Sequence, residues 1–184
     1  MNARLPVENS DTVSLICALL VRFPEIASLR STPGEGTVRV SFAVRARLDR
    51  RAQTAVAASV EEHVAGFLAL DGLADGRVIA VESESDRAMT FVHVTRDLES
   101  FTKDELVMVT ALMTERFGET LVRNPVQDEH PDEDPAAQEE AVEYAIEAMR
   151  DPTQSKSLVG FREEKRVLVY FLKSQKKAKA SARR

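Results

Sequence analysis

Aromatic side chains and cysteine are both scarce in this chain of 184 residues. Aromatic residues make up 5% of the sequence, and tryptophan is absent. Proteins that hold nucleic-acid bases by stacking them on exposed rings usually carry more aromatic residues. The single cysteine, Cys17, excludes an internal disulfide. Its apolar neighbours predict that it is a small buried side chain.

Long apolar segments are lacking as well. The apolar run at residues 15–21 is far too short to span a bilayer. Acidic residues precede it and no clear cleavage site follows, which argues against a secretory signal. We therefore expect a cytoplasmic protein with no membrane partner. A content of 43% apolar and 30% charged residues predicts a globular chain.

The familiar motifs of catalysis and cofactor binding are not found in the sequence. His63 follows two glutamates on a predicted helix, but Ser59 and Phe67 stand where a zinc protease needs its second histidine. His130 lies among acids that lack the glycine and the spacing of an EF-hand loop. No phosphate-binding glycine loop and no serine nucleophile elbow is present. The sequence therefore predicts no catalytic residue, no metal site and no cofactor.

An enzyme with a pocket near His93 is one alternative. His93 lies in the middle of a predicted strand, where a histidine can act as a general base. Glu82 and Glu84 form a carboxylate pair at the predicted hairpin tip before it. The sequence fixes no acid or nucleophile beside His93, so we prefer a protein without enzymatic activity.

The periodicity of apolar residues predicts an α+β fold with ferredoxin-like, split β-α-β order. The predicted elements are strand 37–48, helix 49–70, strands 77–83 and 88–95, and helix 102–117. Asp49 is the expected cap of the first helix, and Thr102 with Glu105 matches a capping box at the second. This order gives five of the six elements of the ferredoxin-like fold, and one further strand would complete it.

Four segments are expected along the chain. Residues 1–122 form the main α+β domain, with an extra N-terminal helix, and residues 123–134 form an acidic linker that contains proline. Residues 135–172 are predicted to be a helix and a β-hairpin that complete the antiparallel or mixed main sheet. The apolar run that ends this hairpin is typical of a strand covered on both faces. Residues 173–184 form a basic tail that we expect to be disordered.

Charge is distributed unevenly along the chain, although the net charge is only −5. Residues 127–140 hold seven acids and no base, whereas residues 173–184 hold six bases and no acid. These two segments therefore differ in charge far more than the net value suggests. The acidic segment argues against a simple nucleic-acid binder.

Two groups of basic residues form the candidate binding site. Arg39, Arg45 and Arg47 alternate on the wet face of the first predicted strand, and Arg50 and Arg51 begin the next helix. The tail adds Lys173, Lys176, Lys177, Lys179, Arg183 and Arg184. Both groups suit the phosphates of an anionic polymer. We predict a non-enzymatic intracellular protein that contacts RNA or a ribonucleoprotein. The alternative is a protein–protein adaptor or homo-oligomer, because the N-terminal helix and the C-terminal hairpin are strongly apolar.

Overall fold

The structure, a computed structural model, describes residues 8–73, 77–124, 135–151, 154, 156–163 and 166–172. These residues include six strands and four α-helices, which confirms the predicted α+β class. The strands are β1 (Ile26–Thr32), β2 (Thr37–Val44), β3 (Ile79–Asp86), β4 (Met89–Asp97), β5 (Ser157–Glu163) and β6 (Arg166–Leu172). The helices are α1 (Glu8–Arg22), α2 (Arg50–Leu70), α3 (Lys103–Phe117) and α4 (Pro135–Met149).

All six strands belong to one antiparallel sheet, in the order β3-β4-β2-β1-β5-β6. β4 lies between β2 and β3, as in a split β-α-β unit. The position on the other side of β2 is taken by β1, and the C-terminal hairpin β5-β6 follows outside β1. The ferredoxin-like order is therefore not confirmed.

The sequence does not predict β1, because its apolar residues do not alternate. Ile26 and Leu29 are three residues apart, which is a helical rather than an extended spacing. In the structure both are fully buried, and a register shift between Ile26 and Ser28 places them on the same face of the sheet. Such a bulge inserts one extra residue into a strand. The apolar residues then no longer alternate, so the sequence pattern does not indicate a strand.

One face of the sheet is covered by helices. A single hydrophobic core joins residues of all four helices to alternate residues of the strands, among them Ile16, Val60, Val109, Val142, Val40 and Val94. The opposite face, here called the open face, carries the intervening residues of each strand. Phe91 and His93 on β4 are only half-buried there. Among the described residues no helix lies over the open face.

The β3-β4 hairpin is longer than the sequence predicts. β3 continues to Asp86, and Arg87, with φ of 50°, lies in the short turn before β4. The alternation of apolar residues in the two strands predicts a register in which His93 lies opposite Val78. That prediction is wrong, because His93 lies opposite Glu82. The polar residues that end β3 resemble a loop in sequence, but polar and charged residues are common on a strand at the edge of a sheet.

A buried ion pair connects β4 to α3. Arg96 and Glu105 are both fully buried, and their side chains form two hydrogen bonds of 2.6 and 3.1 Å. The Thr102 hydroxyl accepts a hydrogen bond from the Glu105 backbone N–H at 3.2 Å, which confirms the predicted cap. The Glu105 carboxylate binds Arg96, however, rather than completing a capping box. Burial raises the pKa of Glu105, and the Arg96 guanidinium opposes that effect.

Candidate anion-binding site

Five arginines lie at one end of the sheet. β2 ends at Val44, which pairs with Thr90 at the start of β4. The connection from β2 to α2 and the turn from β3 to β4 therefore leave the sheet at the same end. The exposed arginines of these two connections are Arg45, Arg47, Arg50, Arg51 and Arg87, and we call them the arginine end.

The structure separates the predicted site residues. Arg45 and Arg47 do not belong to a strand face, because β2 ends one residue before Arg45 and both lie in the loop that leads to α2. Arg50 and Arg51 begin α2, as predicted. Arg39 stays within β2 on the open face, away from the other four. The basic residues of the tail at 173–184 lie outside the described residues.

A hydrogen-bond network around the buried Thr90 fixes the loop between β2 and α2. The Thr90 hydroxyl donates to the Ala46 carbonyl at 2.7 Å and accepts from the Leu48 N–H at 3.0 Å. The Ser85 hydroxyl lies 2.8 Å from the Thr90 hydroxyl and ties β3 to the same point. Gln53 donates to the Leu48 carbonyl at 2.9 Å and to the Ser85 hydroxyl at 3.0 Å. The backbone that carries the arginines is therefore held in place before any ligand binds.

A shallow depression lies inside the arginine end. It is lined by Arg47, Leu48, Asp49, Arg50, Gln53 and Ser85. A second depression beside it shares Arg50 and Gln53 and reaches Ser83, whose hydroxyl is buried and has no hydrogen-bond partner among the described residues. Arg47 and Arg50 therefore approach one recess from two different elements, the loop and the helix.

The electrostatics of the arginine end favour an anion. None of its five arginines forms an ion pair within the part of the chain that the structure describes. Asp49 is engaged as the cap of α2 and accepts from the Ala52 N–H at 2.7 Å. Arg50 and Arg51 lie in the first turn of α2, where the helix dipole is unfavourable for cations. A bound anion would relieve that repulsion and meet the positive end of the helix at the same time.

Arg39 is neutralised on the open face. Its guanidinium lies 2.7 Å from the Glu82 carboxylate and donates to the Thr95 hydroxyl at 3.0 Å. Arg30 on the neighbouring strand is paired with Arg39 in register and is exposed. The open face thus carries one arginine held by a carboxylate and one that faces solvent.

His93 joins a serine and a carboxylate on the open face. Its Nδ1 lies 2.9 Å from the Ser41 hydroxyl, and its Nε2 lies 3.4 Å from Glu84. The Phe91 ring lies nearly parallel to the His93 ring, with the centroids 6.5 Å apart. Such a chain of groups can hold and pass a proton. Ser41 is only 5% exposed, however, so a substrate would have little access to its hydroxyl.

The other predicted features add no site. His63 is exposed on α2, and its Nδ1 donates to the Ser59 carbonyl at 2.6 Å. His130 and its acidic neighbours lie outside the described residues. Within the described ranges, no group of three or more histidine, cysteine or acidic side chains could hold a metal ion. In the same ranges, no helix is long and apolar enough to cross a membrane.

Arg87 belongs to the arginine end, and Gln53, Ser85 and Thr90 hold its loop in place, although the sequence assigns none of these four residues to the site. The register of the β3-β4 hairpin brings Arg87, Ser85 and Thr90 to this end of the sheet, and a correct hairpin prediction would have found them. Gln53 is recognised only through its hydrogen bonds. Comparisons with protein-family models, with curated proteins and with solved structures each gave no match to the chain.

Proposed function

We propose that this protein is a non-enzymatic binding protein that contacts RNA or a ribonucleoprotein through the arginine end, with the basic tail as a second contact. The observation that carries the proposal is a set of five exposed arginines that form no ion pair with any described residue, on connections held by the Thr90 network. Guanidinium groups bind phosphate oxygens in a bidentate geometry, which makes arginine well suited to a phosphate backbone.

The local charge matters more than the total charge for such binding. The chain as a whole carries −5, so its net charge does not favour binding of a polyanion. A cluster of unpaired cations attracts anions over about 10 Å at moderate ionic strength. The protein would therefore bind RNA in one orientation, with the arginine end towards the phosphates.

Leu172, the last described residue before the tail, lies at the opposite end of the sheet. Leu172 pairs with Ser157, and the neighbouring Leu158 pairs with Ser31 at the end of the sheet where β2 begins. β2 has eight residues, so the two ends are separated by about 27 Å. A single strand of RNA that met both basic groups would run along the sheet, and the exposed Arg30 lies on the open face between them.

The experiment is a salt series of RNA-binding curves, measured by fluorescence anisotropy with a labelled single-stranded RNA. The test variant replaces Arg45, Arg47 and Arg50 with glutamine. For single-stranded RNA, each phosphate contact contributes about −0.7 to the slope of log K against log salt concentration. At about 50 mM salt, one contact therefore raises the affinity roughly eightfold. If two of the three arginines make contacts, we expect the affinity to fall by about 60-fold and the slope to become shallower by about 1.4.

The control variant replaces Arg77, Lys103 and Arg166 with glutamine, which gives the same change in net charge away from the arginine end. Arg77 and Lys103 lie at the opposite end of the sheet, and Arg166 lies on β6, three strands away from β2. We expect this control to bind within about twofold of the wild type, because exposed charges beyond a Debye length are largely screened. An equal loss of affinity in the two variants would show that only the net charge matters. RNA binding that is unchanged in the test variant would refute the role of the arginine end.

A further inference from the structure

The two edge strands of the sheet differ in charge. β3 carries Glu82, Glu84 and Asp86, all exposed. Within β6 the only charged residue is Arg166 at its start, and the other six are Val167, Leu168, Val169, Tyr170, Phe171 and Leu172. Charged side chains on an edge strand prevent pairing with other chains, whereas a flat apolar edge invites it. β3 is therefore a protected edge and β6 an open one.

Apolar side chains are exposed on both sides of β6. Tyr170 is 51% exposed on the open face, and Phe171 is 45% exposed on the face towards α1. The sequence predicts a strand covered on both faces here, and that prediction is wrong because α1 packs on one side of β6 only. No described strand or helix covers the outer edge of β6. With a large ring on each side of it, this edge is an apolar strip that water solvates poorly.

We propose that β6 pairs antiparallel with β6 of a second copy, so that two six-stranded sheets join into one around a twofold axis. Residues directly opposite each other in such a pair have their side chains on the same face of the sheet. The twofold axis must therefore pass between one residue and the same residue of the second copy. All seven residues of β6 pair when that residue is Val169. Leu168 then faces Tyr170 of the second copy on the open face, and Val167 faces Phe171 on the other.

Charge supports a second copy of this chain as the occupant. In the proposed register Arg166 lies opposite Leu172 of the second copy, far from the equivalent arginine, and Glu163 already neutralises it at 2.9 Å. Within the seven residues of β6 no like charges meet. The same operation on β3 would bring Glu82 against Glu84 of the second copy, which is unfavourable for a cross-strand pair. The sheet can therefore extend through β6 but not through β3.

The size of the interface predicts a weak dimer. A strand of seven residues is about 24 Å long, and a strip of that length about 10 Å wide is smaller than the roughly 800 Å² per partner of a standard interface. We therefore expect a dissociation constant on the order of 10 to 100 µM, with exchange between monomer and dimer. The twofold axis closes the assembly, so it stops at two copies.

The test is sedimentation equilibrium on the full chain after nuclease treatment, over about 5 to 500 µM, which brackets the expected dissociation constant. The wild type should pass from monomer to dimer in this range. Tyr170→Glu places a carboxylate in the strip and should weaken the dimer by tenfold or more. Tyr144→Glu is the matched control, because Tyr144 is 63% exposed on α4, which packs on α1 and α3, and it should dimerise like the wild type. A monomer at every concentration, or equal dimers for both variants, overturns the proposal.

A cysteine cross-link tests the register without weakening the contact. Opposed residues of an antiparallel pair have Cα atoms about 4.5 or 5.5 Å apart, within the range of a disulfide. In a Cys17→Ser background, Val169→Cys should therefore give a covalent dimer under mild oxidation, whereas Ala80→Cys on β3 should not. Absence of the Val169→Cys dimer, or equal cross-linking of the two, overturns the β6 interface. Neither measurement involves RNA, so a failure here is separate from a failure of RNA binding.

Discussion

Replacement of Glu105 by alanine should be among the most destabilising single changes in this chain. Arg96 and Glu105 are fully buried, and the guanidinium makes two hydrogen bonds to this carboxylate. Removal of the carboxylate leaves a buried cation with Asp97 as its only remaining acidic partner among the described residues. Breaking a buried ion pair from one side costs about 3–5 kcal/mol, and we expect about 3 kcal/mol because Asp97 stays.

Urea unfolding measures this cost directly. With a slope of about 2 kcal/mol per molar urea, a loss of about 3 kcal/mol moves the midpoint down by about 1.5 M. The double variant Arg96→Met, Glu105→Leu removes both charges and keeps apolar volume. It should recover part of that loss, because apolar residues replace a buried ion pair at little cost, although Asp97 loses its bond to Arg96. A loss of less than about 1 kcal/mol for Glu105→Ala, or a double variant less stable than that single variant, would refute the reasoning.

Three further predictions concern the helices and the pH dependence of folding. Gly160→Ala should cost about 1–3 kcal/mol in thermal unfolding, because a Cβ atom at Gly160 would lie 2.3 Å from Ile16 on α1; an unchanged melting temperature would show that α1 can shift. Although burial acts in the opposite direction, bonds from Ser100 and Arg96 lower the pKa of Asp97 from its ordinary 3.8 to about 2. Asp97 therefore contributes about 2 kcal/mol above pH 4, lost as the pH falls towards 2, and in urea unfolding the gap between the wild type and Asp97→Asn should close over that range. Replacing Arg50 and Arg51 with glutamine should raise the free energy of unfolding by about 0.5–1 kcal/mol while it weakens RNA binding, and calorimetry that shows a loss of stability would contradict the dipole argument.

Regular patterns made part of the fold predictable. β2 alternates strictly, and Asp49 and Thr102 cap α2 and α3 as their sequence positions predict. β1 escapes prediction because a bulge breaks its alternation, and the end of β3 escapes because its polar residues resemble a loop. The exposure of β6 could not be predicted, because a continuous apolar run is the sequence expected both of a central strand and of an edge strand that pairs with another chain.

The candidate site was predictable in its residue types but not in its geometry. Arg45, Arg47, Arg50 and Arg51 are recognisable as a basic group in the sequence, whereas their separation from Arg39 depends on the residue at which β2 ends. The pairing of Arg39 with Glu82 depends on the hairpin register, which local sequence does not determine when several registers satisfy the same alternation.

The most direct test of the central claim is whether the purified protein carries nucleic acid through the arginine end. We would purify the full chain and the variant in which glutamine replaces Arg45, Arg47 and Arg50, each at about 50 mM and about 500 mM salt. RNA affinity that depends on counterion release falls steeply between these two concentrations. The absorbance ratio at 260 and 280 nm would then be compared before and after ribonuclease treatment. We predict ribonuclease-sensitive RNA with the wild type at low salt only, and much less with the variant. Protein free of RNA at low salt, or equal RNA with the variant, would contradict the proposed function.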